Sequence, residues 1–153
     1  TARVSARSPL GMYDERTVDR GSRAGVRVGQ PVLKSGFLVG IIRTVDSDRS
    51  VVRLLTSPGS IIPVILQTTR GQGLLRGGLE GLVVSDLPID IAPQTGESVL
   101  TSALGDRLVP DLPVGQVGTV TSLESEILQR VTLITPIRFD ALEEVIIQTG
   151  AGL

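Results

Sequence analysis

Short runs of valine, isoleucine and leucine recur along the whole chain, separated by breaks rich in glycine, proline, serine and arginine. Apolar runs bounded by turn residues read as strands. They predict strands at about 2–8, 15–19, 30–34, 38–46, 50–56, 61–67, 73–76, 81–86, 97–102, 114–123, 128–135 and 143–148. The breaks "RGSRAG", "SPGS", "RGQG", "RGG" and "APQTG" are made of residues that tolerate turn geometry. "FDALEEV" (139–145) predicts a single helical turn ahead of the last strand. No segment sustains a 3.6-residue period, so the fold class is all-β.

Composition sharpens this. Hydrophobic residues make up 41% of the chain and aromatic ones only 2%, so any core is aliphatic. With 18 glycines and 9 prolines, many turns are implied and long helices are not. A length of 153 residues suits one domain or two small ones. Two halves of about 75 residues would each be marginal alone, which calls for a large shared interface.

The chain also repeats itself. "LVGIIRTV" (38–45) returns as "PVGQVGTV" (113–120), preceded by "GQPVL" (29–33) and "GESVL" (96–100), and followed by "SVVRLLTSP" (50–58) and "LQRVTLITP" (128–136). Three echoes in one order point to a single structural unit used twice. Many short strands fit barrels or a sandwich. Barrels suit the doubled Val39-Gly40 and Val114-Gly115 phrases better, because a strand glycine permits a sharp bend and close backbone approach. We therefore expect two small six-stranded β-barrels, one inserted in the other. Residues 1–10 with 89–153 form the first and 11–88 the second, and a plain tandem is the alternative. Gly21, Gly25, Gly29, Gly40, Gly96 and Gly115 are the expected structural glycines. The second copy carries an insertion, "ALGDRLVPD" (103–111), which reads as a longer loop.

Charge and missing residue types remove most chemistry. The 15 basic residues, all arginine except Lys34, are scattered among 16 acidic ones, so no basic stripe suggests nucleic acid. Histidine is absent, which forbids a Ser-His-Asp triad. Lys34 and Ser35, adjacent in a hairpin, point to opposite faces and make a poor dyad. Without histidine or cysteine, zinc lacks its usual ligands. Asp46 and Asp48 in "VDSDRS" read as capping a hairpin turn rather than holding a cation. Glu143 with Glu144, and Glu124 with Glu126, read as exposed strand charges. "GQGLLRGG" (71–78) lacks the following helix that a dinucleotide site requires. Neither a catalytic residue, a cofactor nor a metal site is expected. The alternative is a carboxylate-dependent hydrolase, since acids distant in sequence can meet in space.

The ordered blocks "VDRGSRAGVRVGQPVLKSGFLVGIIRTV" (18–45), "LTSPGSIIPVILQ" (55–67), "GLLRG" (73–77), "GESVLTSALGDRLVPDLPVGQVGTV" (96–120) and "LEEVIIQ" (142–148) resemble the rod-shape-determining MreC family. The chain departs from the family pattern at Arg20, Ala24, Ala103 and Val109. The resemblance implies an ectodomain of two six-stranded barrels with a chymotrypsin-like architecture. It implies a non-catalytic scaffold that controls cell shape within the cell-wall elongation complex. The implied partners are a class B penicillin-binding transpeptidase, MreD and other membrane proteins of the complex, and further copies of itself, as dimer or filament. It also implies a periplasmic or extracytoplasmic location, with an N-terminal membrane helix and coiled coil absent from this stretch, which contains no apolar run of about 20 residues.

Function as binding needs a surface. Tyr13, Phe37 and Phe139 are the only aromatic residues. Tyr13 in "GMYDER" and Phe37 at a hairpin are candidate anchors, while Phe37 and Phe139 have core packing as the competing role. Leu108, Val109 and Leu112 of the inserted loop either form an outward apolar patch or cap a barrel. The expected protein-binding residues are Tyr13, Phe37, Leu108, Val109 and Leu112.

Overall fold

The computed structural model describes residues 1–7, 14–78, 81–102, 109–121 and 127–149. Twelve strands form: β1 (Ala2–Arg7), β2 (Glu15–Val18), β3 (Pro31–Lys34), β4 (Phe37–Val45), β5 (Ser50–Leu54), β6 (Ile61–Leu66), β7 (Gln72–Arg76), β8 (Val83–Pro88), β9 (Ser98–Thr101), β10 (Pro113–Val120), β11 (Leu128–Ile134) and β12 (Glu144–Ile147). Two 3₁₀ turns, Ser22–Ala24 and Phe139–Ala141, are the helical structure among the described residues. The second stands where one helical turn is predicted.

The strands close into two six-stranded antiparallel barrels. The first runs β3-β4-β5-β2-β1-β12 and back to β3; the second runs β9-β10-β11-β8-β7-β6 and back to β9. Laid side by side, the two rings match strand for strand, with β12 in the first taking the place of β6 in the second. The echoes are thereby explained. "GQPVL" and "GESVL" run into β3 and β9, the glycine phrases are β4 and β10, and the proline-ended phrases contain β5 and β11.

The barrels divide the chain differently from the expected 1–10 with 89–153 and 11–88. Strands β1 to β5 and β12 make one barrel, and the contiguous stretch β6 to β11 makes the other. Pro88 suggested a boundary but merely ends β8, where it pairs with Leu128 of β11. A proline at a strand end forfeits no ladder bond and marks no domain limit. Ring closure decides the matter, because β12 has to pair with both β1 and β3.

Each copy of Val-Gly makes the same bulge. In β4, Gly40 faces Val32 and Leu38 faces Leu33, which leaves Val39 as the extra residue. In β10, Gly115 faces Val99 and Pro113 faces Leu100, which leaves Val114. A bulge bends its strand and raises the local twist, as a small barrel needs at its corners. The glycines are required by close approach. A Cβ on Gly40 would lie 2.5 Å from the Arg53 carbonyl oxygen, and one on Gly115 would collide with the Ile134 carbonyl. Gly40→Ala is expected to lower stability by about 2–3 kcal/mol, a Tm drop of roughly 4–12 °C. Thermal melting checks this, and an unchanged Tm would show that the strand has room to move.

The bulge also separates neighbouring side chains. Val39 enters the first barrel's core with Val18, Val32, Val52 and Leu54. Leu38, although on a first-barrel strand, packs in the core of the second with Leu66, Leu87 and Val114. Leu33 and Ile41 pack against that same core, and Phe139 touches both. Strands β4 and β10 meet across the junction, so the two repeated phrases face each other. The connection between barrels is itself packed: Leu55, Ser57 and Ser60 are buried, and the Ser57 hydroxyl accepts the Asp14 N–H at 3.1 Å. Apolar contact between the two barrels thus runs through Leu33, Leu38, Ile41 and Phe139.

Candidate interaction surface

The buried charged groups of the first barrel, Glu15 and Arg16, are committed to structure. The nearly buried Glu15 carboxylate pairs with Arg43 and with Arg53. Arg16, also buried, reaches Asp14 at 2.5 Å and donates to the Phe139 carbonyl at 3.2 Å, tying β2 to the segment that leads into β12. Asp14 in turn accepts from the Thr56 hydroxyl. A carboxylate held between two guanidiniums is an ion-pair partner rather than an acid or base awaiting substrate. Asp48 pairs at 3.6 Å with Arg23 on the surface, and Glu143 and Glu144 are exposed. Among the described residues no group of three or more acidic or ligating side chains is placed to hold a metal.

The junction carries a groove. It has a volume of about 600 Å³ and is lined by Phe37 from the first barrel and by Arg70, Leu100, Asp111, Pro113 and Gln116 among others from the second. Phe37 gets there because Ser35 and Gly36 both take positive φ, 52° and 84°, in the two-residue turn joining β3 to β4. The aromatic ring is half-buried and belongs to neither core cluster among the described residues.

Two buried polar side chains brace the segments that carry Arg70 and Asp111. Glu97 accepts the N–H groups of Thr68 and Thr69, each at 3.0 Å, and that of Gln94 at 2.9 Å. It thereby braces the β6–β7 turn, where Arg70 stands at φ 64°. Burial pushes the Glu97 carboxyl up, but the hydrogen bonds from Gln94, Thr69 and Thr68 outweigh it and hold the group below its ordinary value. Thr101, fully buried, donates its hydroxyl to the Val109 carbonyl at 2.7 Å and accepts the Leu112 N–H at 2.9 Å. That clamps the segment holding Asp111 at φ 65°.

The expected binding residues fall in different places. Phe37 lines the groove. Leu112 packs against the second barrel's core, and Val109 is half-buried beside Thr101. Tyr13 and Leu108 lie outside the described residues. Of the glycines, Gly21 abuts the Asp46 carbonyl, Gly25, Gly29 and Gly96 have positive φ, and Gly40 and Gly115 serve the bulges. Sequence reasoning missed Arg70, Glu97 and Asp111, because an isolated charge in a turn carries no local sign of what it will face.

A second surface is aliphatic. Ile127 is 83% exposed and Ile89 58%, and they adjoin the paired Leu128 and Pro88. Their grouping at one end of the β8–β11 ladder gives an apolar patch of the kind that marks contact sites. No helix among the described residues is long and apolar enough to cross a membrane.

Comparison with known proteins agrees with this architecture. The cell shape-determining protein MreC of Streptococcus pneumoniae is 27% identical over 139 residues, covering 86% of this chain and 51% of its own length. The chain thus spans about half the length of that relative and 33% of the one from Caulobacter vibrioides. The solved structure of MreC from Listeria monocytogenes superposes with a TM-score of 0.86 at 24% identity, covering 95% of this chain and 72% of that one. A solved complex between penicillin-binding protein PBP2 and MreC from Helicobacter pylori matches with a TM-score of 0.72 at 14% identity, covering 90% and 87%. The family model for "Rod shape-determining protein MreC, barrel core" matches residues 4–149. By its doubled barrel and by that match across nearly its whole length, the chain belongs to the MreC family of cell shape-determining proteins.

Proposed function

We propose that this chain is a non-catalytic scaffold of the bacterial cell-wall elongation complex. It binds and organises a class B penicillin-binding transpeptidase, associates with further copies of itself and works beside MreD. It acts on the periplasmic or extracytoplasmic side of the inner membrane, held there by an N-terminal helix of the full-length protein. The observation that carries this reading is a two-barrel body whose described buried charges are spent on its own structure while aliphatic side chains remain outside. Ile89, Ile127 and Leu128 form the contact patch, and the solved PBP2–MreC complex of a relative supports a transpeptidase as occupant.

The test is binding of this chain to a transpeptidase ectodomain by surface plasmon resonance. Ile127→Asp should weaken binding at least tenfold, since a charge set into an apolar contact cannot be paired, while leaving Tm unchanged because the side chain is exposed. Equal binding by wild type and variant would remove the patch from the interface. Absence of binding by the wild type at high micromolar concentration would remove the scaffold reading for this stretch.

A further inference from the structure

We propose that the groove at the barrel junction is a binding site for a short peptide with free ends. Arg70 and Asp111 carry opposite charges and line the same groove. Neither forms an ion pair with any described residue. Both are non-glycine residues held at positive φ, as is Ser35 in the turn that sets Phe37. Four described residues other than glycine have such a backbone, and three of them thus belong to the turns around this one groove. Positive φ costs energy for these residue types and persists where the surroundings enforce it, which is common at ligand clamps. Here the enforcing groups are visible. Glu97 fixes the Arg70 turn and Thr101 fixes the Asp111 turn, and both are buried.

The lining then selects the ligand. Arg70 offers a planar donor for a carboxylate, and Asp111 an acceptor for an ammonium. Phe37, Leu100 and Pro113 supply the apolar part of the lining, and Gln67 and Gln116 supply amides able to bond a peptide backbone. A volume of about 600 Å³ lies within the ~300–1,000 Å³ usual for small-ligand clefts. One anionic end, one cationic end, an apolar body and amide groups describe a short zwitterionic peptide. A bare glycan strand lacks the two charges, and Phe37 alone makes a poor sugar platform.

The probe is the tetrapeptide alanyl-leucyl-valyl-alanine with free termini, titrated into the ¹⁵N-labelled chain and followed by amide chemical shifts and calorimetry. Shifts should concentrate at Phe37, Arg70, Asp111 and Gln116. N-acetylation and C-amidation of the peptide should each weaken binding about tenfold, since each removes one charge-assisted bond. Arg70→Gln should reproduce the loss caused by C-amidation and become insensitive to it, and Asp111→Asn should behave likewise toward N-acetylation. Both substitutions leave the Glu97 and Thr101 clamps in place, and Tm serves as the folding control. The peptide caps act on the wild-type chain, so the outcome stands even if a variant folds poorly. Shifts elsewhere, equal affinity for free and doubly capped peptides, or saturation of the groove by an uncharged glycan oligomer would each overturn the proposal. The groove shares no residue with the Ile89–Ile127–Leu128 patch, so this result and the transpeptidase result are independent.

Discussion

Leu38→Ala should lower stability by about 2–5 kcal/mol and depress Tm by roughly 4–20 °C, read by calorimetry and circular dichroism. Leu38 is fully buried, and its side chain leaves one barrel to fill the core of the other. The cavity produced by truncation would lie where β4 meets β10, so both barrels should lose stability together in one transition. Phe37→Ala, one residue earlier on the same strand, is the contrast. Its ring is half-buried and outside both described core clusters, so its cost should stay near 1 kcal/mol. A loss below about 1 kcal/mol for Leu38→Ala would mean that the barrels merely abut. Two separate melting steps would mean the same.

Glu97→Gln should cost about 1.5–3 kcal/mol at neutral pH, because hydrogen bonds to an ionised acceptor are stronger than those to an amide and one amide group cannot accept through both of its atoms. The effect has a pH signature. The folded-state pKa of Glu97 lies below the ordinary 4.5, so its ionised form is favoured by folding. Its contribution is complete above the unfolded value and disappears as pH falls through the folded one. The gap in Tm between wild type and variant should therefore be widest at pH 7 and close on acidification below about pH 5. A gap independent of pH would show that the charge of Glu97 is immaterial. The same substitution should shift the amide resonances of Thr68, Thr69 and Arg70, since their turn hangs from this carboxylate.

The strands were legible because the information for them is local. Runs such as "SVVRL" and "EVII" carry β-branched residues between turn signals, and each predicted run corresponds to a strand within a few residues. The repeated Val-Gly phrases were legible too, and the need for glycine there is now seen as a Cβ with no space beside a neighbouring carbonyl. Pairing partners were not legible. β12 lies about 110 residues from β3 along the chain, and nothing in "EEVII" or "QPVLK" names the other. The domain limits consequently came out wrong, with Pro88 given more meaning than a strand end deserves.

The candidate surface divides in the same way. Phe37 could be singled out because aromatic residues are so scarce that each one stands out. Leu112 could be singled out as apolar text in a loop, yet whether it faces solvent or core depends on Thr101 and on the curvature of the barrel beneath it. The groove assembles from four segments of turn and strand, at 35–37, 67–70, 98–100 and 111–116, which are far apart in the chain and alike only in what they face.

Amino-acid order alone determined an aliphatic, all-β molecule of twelve short strands, a unit used twice, no histidine or cysteine chemistry, and the family. The family rests on the resemblance of ordered motif blocks, and the other properties on composition and on short apolar runs between turn signals, which act over a few residues at a time. Tertiary structure decided which six strands close each ring, that Leu38 serves the opposite barrel, and that Arg70 and Asp111 share one groove. These depend on ring closure and on contacts between distant segments, and the free energy of such contacts exists only once the chain has folded.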